Sequence, residues 1–236
     1  MTNMVSCATI ALSDCPLPLV PMVQQTPFRE EILVFTRYPQ PGKVKTRLIP
    51  RLGKEKAAAV HACLAERTIA AAKRLLHDRD IGLSLWYTGG TRQQMRDWIG
   101  GDISLAEQLG NGLGRRMAAA FRASWARGTE RTVLIGTDCP ELDAPLLALA
   151  LDLLRDYEMV IGPARDGGYY LIGLRRETEP RMAALFDGIA WGSADTFRRT
   201  MERAGLAGLT TVTLTELHDI DRPEDLRHLR NYPDAE

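Results

Sequence analysis

From Glu31 onward, short apolar runs alternate with longer segments of helical period. Ile32–Phe35 is a compact apolar run, and Thr132–Gly136 is β-branched or apolar with a terminal glycine; both read as short buried strands. Ile81–Tyr87 alternates in part and is ended by Gly89-Gly90, while Met159–Ile161, Tyr169–Leu174 and Thr211–Leu214 are further strand candidates. Between them, Lys54–His77 carries Ala57, Val60, Leu64, Ala71 and Leu75 on one helical face, leaving His61 and His77 as surface residues. Thr91–Trp98 predicts a short helix, and Met117, Phe121 and Trp125 mark the apolar face of another. Asp143 is placed to cap a helix running to about Leu154, with Pro145 in its first turn, and Ser193 to cap Ala194–Ala204. Asp166-Gly167 is a hairpin turn signal. Strands alternating with helices predict an α/β fold with a mostly parallel sheet.

The first 29 residues do not share this pattern. They contain Pro16, Pro18, Pro21 and Pro27, show neither helical nor strand period, and lack the basic start of a signal peptide. They are expected to form a flexible extension, or to reflect a start codon placed too early given Met4 and Met22, ahead of one domain over residues 30–236. Thirty basic and thirty acidic residues cancel, so nucleic acid and anionic membrane surfaces are not expected partners, and any phosphate site must be local. Cys7, Cys15, Cys63 and Cys139 have neither metal-ligand nor disulfide spacing. No apolar run reaches the roughly 20 residues of a membrane span. A cytoplasmic setting is expected; oligomeric state is left open.

Candidate chemistry gathers where elements end. Asp138 follows a buried strand directly, at the rim where parallel sheets bind ligands, although a plain turn with Pro140 uses the same residues. The loop Thr36–Leu48 cannot be regular, with Pro39, Pro41 and Gly42, and it concentrates Arg37, Lys43, Lys45 and Arg47. It is neither a Walker loop nor a dinucleotide fingerprint. Such a loop suits phosphates, although four solvated cations would look the same. Gly110, Gly112 and Gly114 precede a helix and would let a ligand approach closely, or form an ordinary turn. Asp221 either caps a final helix, with Glu224 three residues on, or points to the site. Two carboxylates beside a cationic loop suit Mg²⁺ or Mn²⁺ bridging phosphates, because hard ions prefer oxygen ligands.

Five segments in this order carry a resemblance: FTRYPQPGKVKTRL from Phe35, GTDCPEL from Gly136, GPARDGGYYLIGL from Gly162, GIAWGS from Gly188 and DIDRPEDL from Asp219. Together they closely resemble a bacterial family of GT-A-fold nucleotide-diphospho-sugar transferases, or arsenosugar-biosynthesis glycosyltransferases, across about Glu31 to Leu229. More distantly the pattern is similar to 2-phospholactate guanylyltransferase and CMP-KDO synthetase. The resemblance implies a single GT-A domain that moves a sugar from a nucleotide-diphosphate donor to a small-molecule acceptor. Lys45 and Arg47, with Lys43 and Arg37, would hold the phosphates. Gly42, the Gly110–Gly114 loop, Gly167, Gly168 and Tyr169 would face the nucleotide sugar. Asp138 and Asp221 would hold Mg²⁺ or Mn²⁺, with Asp219 as the substitute for Asp221, and Asp166 would act as base or sugar-hydroxyl acceptor. The chain departs from the family at Gly112, where the family carries an acidic residue, so a group such as a ribose hydroxyl would lose that partner. Nucleotidyl transfer from an NTP and nucleotide binding without catalysis are the alternative functions.

Overall fold

The computed structural model describes residues 28–231. Most of the expected N-terminal extension, residues 1–27, lies outside the described residues, as do residues 232–236. Seven strands form one sheet: β1 (Glu30–Arg37), β2 (Gly82–Thr88), β3 (Ser104–Glu107), β4 (Arg131–Ile135), β5 (Met159–Pro163), β6 (Tyr169–Arg175) and β7 (Thr211–Thr213). Their order is β3-β2-β1-β4-β6-β5-β7. All neighbours pair parallel except β6, which runs antiparallel to both β4 and β5. The expected α/β architecture is therefore present, as a mixed sheet with one reversed strand. The reversal is local in origin: β5 and β6 are joined by a tight turn in which Ala164 N–H meets Gly168 C=O at 3.0 Å and Asp166 Oδ1 accepts the Gly168 N–H at 2.7 Å.

The central strands β1, β4, β5 and β6 each hold a near-continuous apolar run because helices cover both faces of the sheet. Alternate residues of β1 serve opposite cores. Ile32 and Val34 pack with residues of α2 (Lys54–Asp78), α3 (Arg92–Ile99) and α5 (Ala144–Leu153). Leu33 and Phe35 pack with α4 (Leu113–Ala126), α6 (Glu179–Phe186) and α7 (Thr196–Leu206). A four-residue α1 (Ile49–Leu52) precedes α2. Among the described residues, no helix is long and apolar enough to cross a membrane.

Several local expectations shift. Asp143 caps α5, accepting the Leu146 N–H at 3.0 Å, and Thr91 with Gln94 forms a capping box on α3. Ser193 does not cap a helix; α7 begins at Thr196. His61 is not on the surface: it is buried in the inward face of α2, where Val60 is only half-buried. The edge strand β3 and helix α6 have no counterpart among the sequence-predicted elements. β3 is only four residues long, and α6 begins beside Pro180 with little apolar period.

The strand order also fixes where a ligand can sit. From β1 the chain moves outward to β2 and β3, then returns to β4 on the other side of β1. The two connections diverge at the carboxyl ends of β1 and β4, and that divergence opens the crevice typical of such sheets.

Candidate active site

The cationic loop leaves β1 at Arg37. The Arg37 guanidinium donates back to the Lys43 carbonyl at 3.1 Å, and the Lys43 N–H donates to the Gln40 carbonyl at 3.0 Å. His61 Nε2 meets the Arg37 carbonyl at 2.9 Å from beneath. The loop is thus a fixed shape, not a solvated fringe. It delivers Lys45 in the left-handed conformation (φ 44°, ψ 43°), the one positive φ outside glycine among the described residues. Strain of this kind persists only where the surroundings overdetermine it.

The Lys45 side chain is 4 % exposed, and its ammonium lies 2.6 Å from Asp138 Oδ1. Two residues on, the Arg47 guanidinium pairs with Asp221. The loop therefore engages both carboxylates that the resemblance implies as metal ligands. The two acidic segments are also tied to each other: the Ile220 N–H donates to the Asp138 carbonyl at 2.9 Å. The helix-cap reading of Asp221 is corrected here. Its side chain serves Arg47, and the backbone N–H groups of Asp221 and Arg222 are accepted by Asp225, at 3.1 and 2.7 Å. The element that follows is a 3₁₀ helix, Pro223–Asn231.

Electrostatics follow from this arrangement. Burial pushes the Asp138 carboxyl up, but the charge and hydrogen bond of Lys45 outweigh it and hold the group below the usual carboxylate range. Asp219 has no such cationic partner among the described residues. Burial, then the charge of Asp166, with smaller contributions from Asp225 and Asp138, push it up to about 6. The neighbouring Cys139 thiol is pushed well up by burial and by Asp138, which disfavours the thiolate, and the side chain packs in the core.

These groups line a cleft of about 720 Å³. Of the sequence-predicted residues, the cleft brings together Arg37, Lys43, Lys45, Arg47, Asp138, Asp166, Gly168, Tyr169 and Asp221, with Asp219 beside them. Gly42, Gly110, Gly112, Gly114 and Gly167 do not line it. Two of these act from behind. A Cβ on Gly114 would come within 2.7 Å of the Trp191 ring, and one on Gly167 within 2.0 Å of the Ala194 carbonyl oxygen. Both therefore let the 188–195 segment close one side of the cleft. Sequence reasoning missed Gln108, Trp191, Arg116 and His61 as lining residues. Gln108 and Trp191 lie inside segments already singled out, but nothing local distinguishes them. Gln108 Nε2 donates to the carbonyls of Thr36 and Trp86, joining the ends of β1 and β2.

The donor set suits a hard divalent ion, since carboxylate oxygens dominate this end of the cleft and no thiolate is available. It is not a preassembled cage: among the described residues, no group of three His, Cys, Asp or Glu side chains is placed to hold a metal. Asp138 and Asp221 are instead each neutralised by a cation.

Comparison with known proteins gives a consistent family and fold. Residues 69–193 match the model of a family described as "Uncharacterized protein conserved in bacteria (DUF2064)". No curated protein sequence matches. A crystal structure from Desulfovibrio desulfuricans G20, provisionally named a nucleotide-diphospho-sugar transferase, is 35% identical, covers 86% of this chain and 89% of its own, and superposes with a TM-score of 0.79. The inositol-1-phosphate CTP transferase of T. maritima shares the fold at 14% identity, with 89% and 95% covered and a TM-score of 0.52. So does Rv0371c of Mycobacterium tuberculosis H37Rv, solved as a manganese complex, at 18% identity, with 86% and 99% covered and a TM-score of 0.50. The fold is the GT-A-like fold of nucleotide-diphospho-sugar transferases, which nucleotidyltransferases share.

Proposed function

Because the chain belongs to the DUF2064 family of bacterial proteins, we propose that it is a metal-dependent glycosyltransferase, moving a sugar from a nucleotide-diphosphate donor to a small-molecule acceptor. The observation that carries this reading is the pairing of Lys45 with Asp138 and of Arg47 with Asp221 in one cleft at the sheet's switch point. Phosphates and a divalent ion together need both signs of charge side by side, and this cleft supplies them from a single loop and two acidic segments.

In this reading Lys45, Arg47 and Lys43 bind the diphosphate oxygens, and Arg37 holds the loop in shape. Asp138 and Asp221, with Asp219 adjacent, would hold Mg²⁺ or Mn²⁺, which supplies positive charge to a leaving diphosphate. A divalent ion is supported by Rv0371c, which shares the fold and was solved as a manganese complex. Tyr169, Gly168 and Trp191 wall the donor. Asp166, exposed on the β5–β6 turn, is the group placed to accept a proton from, or hydrogen-bond, an acceptor or sugar hydroxyl. Catalysis would come chiefly from positioning and from charge aimed at the leaving diphosphate. The domain responsible is residues 30–236.

The test is a thermal-shift screen of nucleotides and nucleotide sugars with and without Mn²⁺, followed by product analysis of the best ligands. Mn²⁺-dependent stabilisation and release of nucleoside diphosphate without pyrophosphate are expected. Pyrophosphate release from an NTP would make the protein a nucleotidyltransferase, and tight binding without turnover would make it a nucleotide-binding protein.

A further inference from the structure

A second cavity, of about 350 Å³, opens beside the cleft and shares Arg47, Asp166, Gly192, Asp219 and Asp221 with it. Its far wall has a different chemistry. Arg165, Arg222 and Arg227 line it, and none of them pairs with a carboxylate among the described residues. Several arginines elsewhere are paired with acids: Arg79 and Arg131 on Glu30, Arg127 on Glu31, Arg181 on Glu158 and Arg198 on Glu202. Three of the four acids that line the cavity have partners of their own. Asp221 pairs with Arg47, Asp225 accepts two backbone N–H groups, and Asp166 accepts the Gly168 N–H. Asp219 faces both cavities.

What holds the arginines is a pair of imidazoles. Arg165 Nη1 lies 2.6 Å from His218 Nε2. A guanidinium has only donors, so His218 Nε2 is the acceptor and the ring proton sits on Nδ1. Nδ1 lies 3.1 Å from Glu141 Oε1, and Glu141 Oε2 also accepts the His218 backbone N–H at 3.2 Å. The His218 ring stacks on His228, with centroids 4.1 Å apart and planes at 22°. His228 Nε2 in turn accepts from Arg227 Nε at 3.2 Å. The imidazole nitrogens thus orient two arginines with no carboxylate at either guanidinium, and Arg222 makes no side-chain hydrogen bond or ion pair among the described residues. Arginines held in position but left charged are what recognition of a planar or tetrahedral oxyanion requires.

We propose that this cavity is an oxyanion subsite, and that the acceptor carries a phosphate or carboxylate bound there by Arg165, Arg222 and Arg227. Its assignment to the acceptor rests on the glycosyl-transfer reading; the oxyanion site itself does not. The shared wall with the cleft places such a group next to Asp166, the group assigned to the acceptor hydroxyl.

Titration calorimetry on the full chain tests it, with inorganic phosphate and glycolate as separate probes. One of the two should bind the wild-type protein, and the better binder identifies the oxyanion. Arg165→Gln with Arg227→Gln should weaken that binding at least tenfold. Arg222→Gln alone should weaken it severalfold while leaving the melting temperature near wild type, because this side chain has no hydrogen-bond or ion-pair partner among the described residues. Nucleoside diphosphate with Mn²⁺ should bind all these variants within about threefold of wild type. The proposal is overturned if neither probe binds, if binding ignores the arginines, or if the variants lose nucleoside diphosphate equally, which would make the cavity part of the donor site. Oxyanion binding that depends on the arginines, in a protein that binds no nucleotide, would leave this subsite standing and remove the glycosyltransferase reading instead.

Discussion

Lys45 combines two roles that substitution can separate. Its left-handed backbone costs roughly 1–2 kcal/mol for a side chain bearing a Cβ, and its buried ammonium neutralises Asp138 at 2.6 Å. Lys45→Gly removes the amine and the strain; Lys45→Ala removes only the amine. Chemical denaturation should therefore find the glycine variant more stable than the alanine variant by about 1 kcal/mol. Both should bind nucleoside diphosphate more weakly, by roughly 1.5–3 kcal/mol, the range for hydrogen bonds to charged groups. Equal nucleotide affinity in wild type and both variants would take the ammonium out of the phosphate site. His61 gives a second residue-scale expectation. Burial outweighs its hydrogen bond to the Arg37 carbonyl, and its pKa lies below the ordinary value of 6.5. The unfolded chain therefore takes up this proton more readily than the folded one. The stability it contributes is complete above about pH 6.5 and is lost as pH falls below that value. Denaturation midpoints at pH 7.5 and 5.5 should differ less in His61→Gln than in wild type; superimposable pH profiles would show that His61 does not titrate on unfolding.

At the scale of elements, the β5–β6 turn and the 188–195 segment act as one unit. The Phe197 N–H donates to the Gly167 carbonyl at 2.8 Å, and the Gly167 Cα faces the Ala194 backbone so closely that a Cβ has no room. Gly192 has a similar positive φ, 80° against 88°, but open space around it. Gly192→Ala should cost only the backbone strain, roughly 1–2 kcal/mol. Gly167→Ala adds a backbone clash and should cost roughly 2–4 kcal/mol. It should also loosen the wall containing Trp191 and so weaken nucleotide binding. Urea unfolding of the two variants side by side isolates the clash; identical losses would mean that the segment yields without resistance. The capping of the last helical segment belongs to this scale as well. Asp225, four residues on, accepts the N–H groups of Asp221 and Arg222, while the Asp221 carboxylate serves Arg47 in the cleft instead of capping.

For the molecule as a whole, the site is a meeting of segments from both halves of the sheet, and ligand binding should register as global stability. A ligand present at 100 times its Kd adds about 2.7 kcal/mol. Asp221→Asn should keep the melting temperature of the ligand-free protein within a few degrees, yet lose most of the stabilisation by nucleoside diphosphate with Mn²⁺. Asp138→Asn should do the same, and the double variant should be far from additive because both would act through one ion. Additive losses in a thermal-shift matrix would assign the two carboxylates to different ligands. Much of this architecture was legible along the chain. The buried strands, the Asp143 cap, the Asp166-Gly167 turn and the loops rich in charge are written in periodicity and turn chemistry, which act over a few residues and need no knowledge of the rest. The pairing of Arg47 with Asp221, 174 residues apart, was not. Neither were the burial of His61, the service of Gly114 and Gly167 behind the cleft wall, or the Glu141–His218–Arg165 chain. These depend on which elements the sheet sets side by side: β1 beside β4, β6 antiparallel between β4 and β5, and α2 over the end of β1. Charge pairing and steric exclusion act only at contact distance, and it is the order of strands in the sheet, not their order in the chain, that brings those side chains into contact.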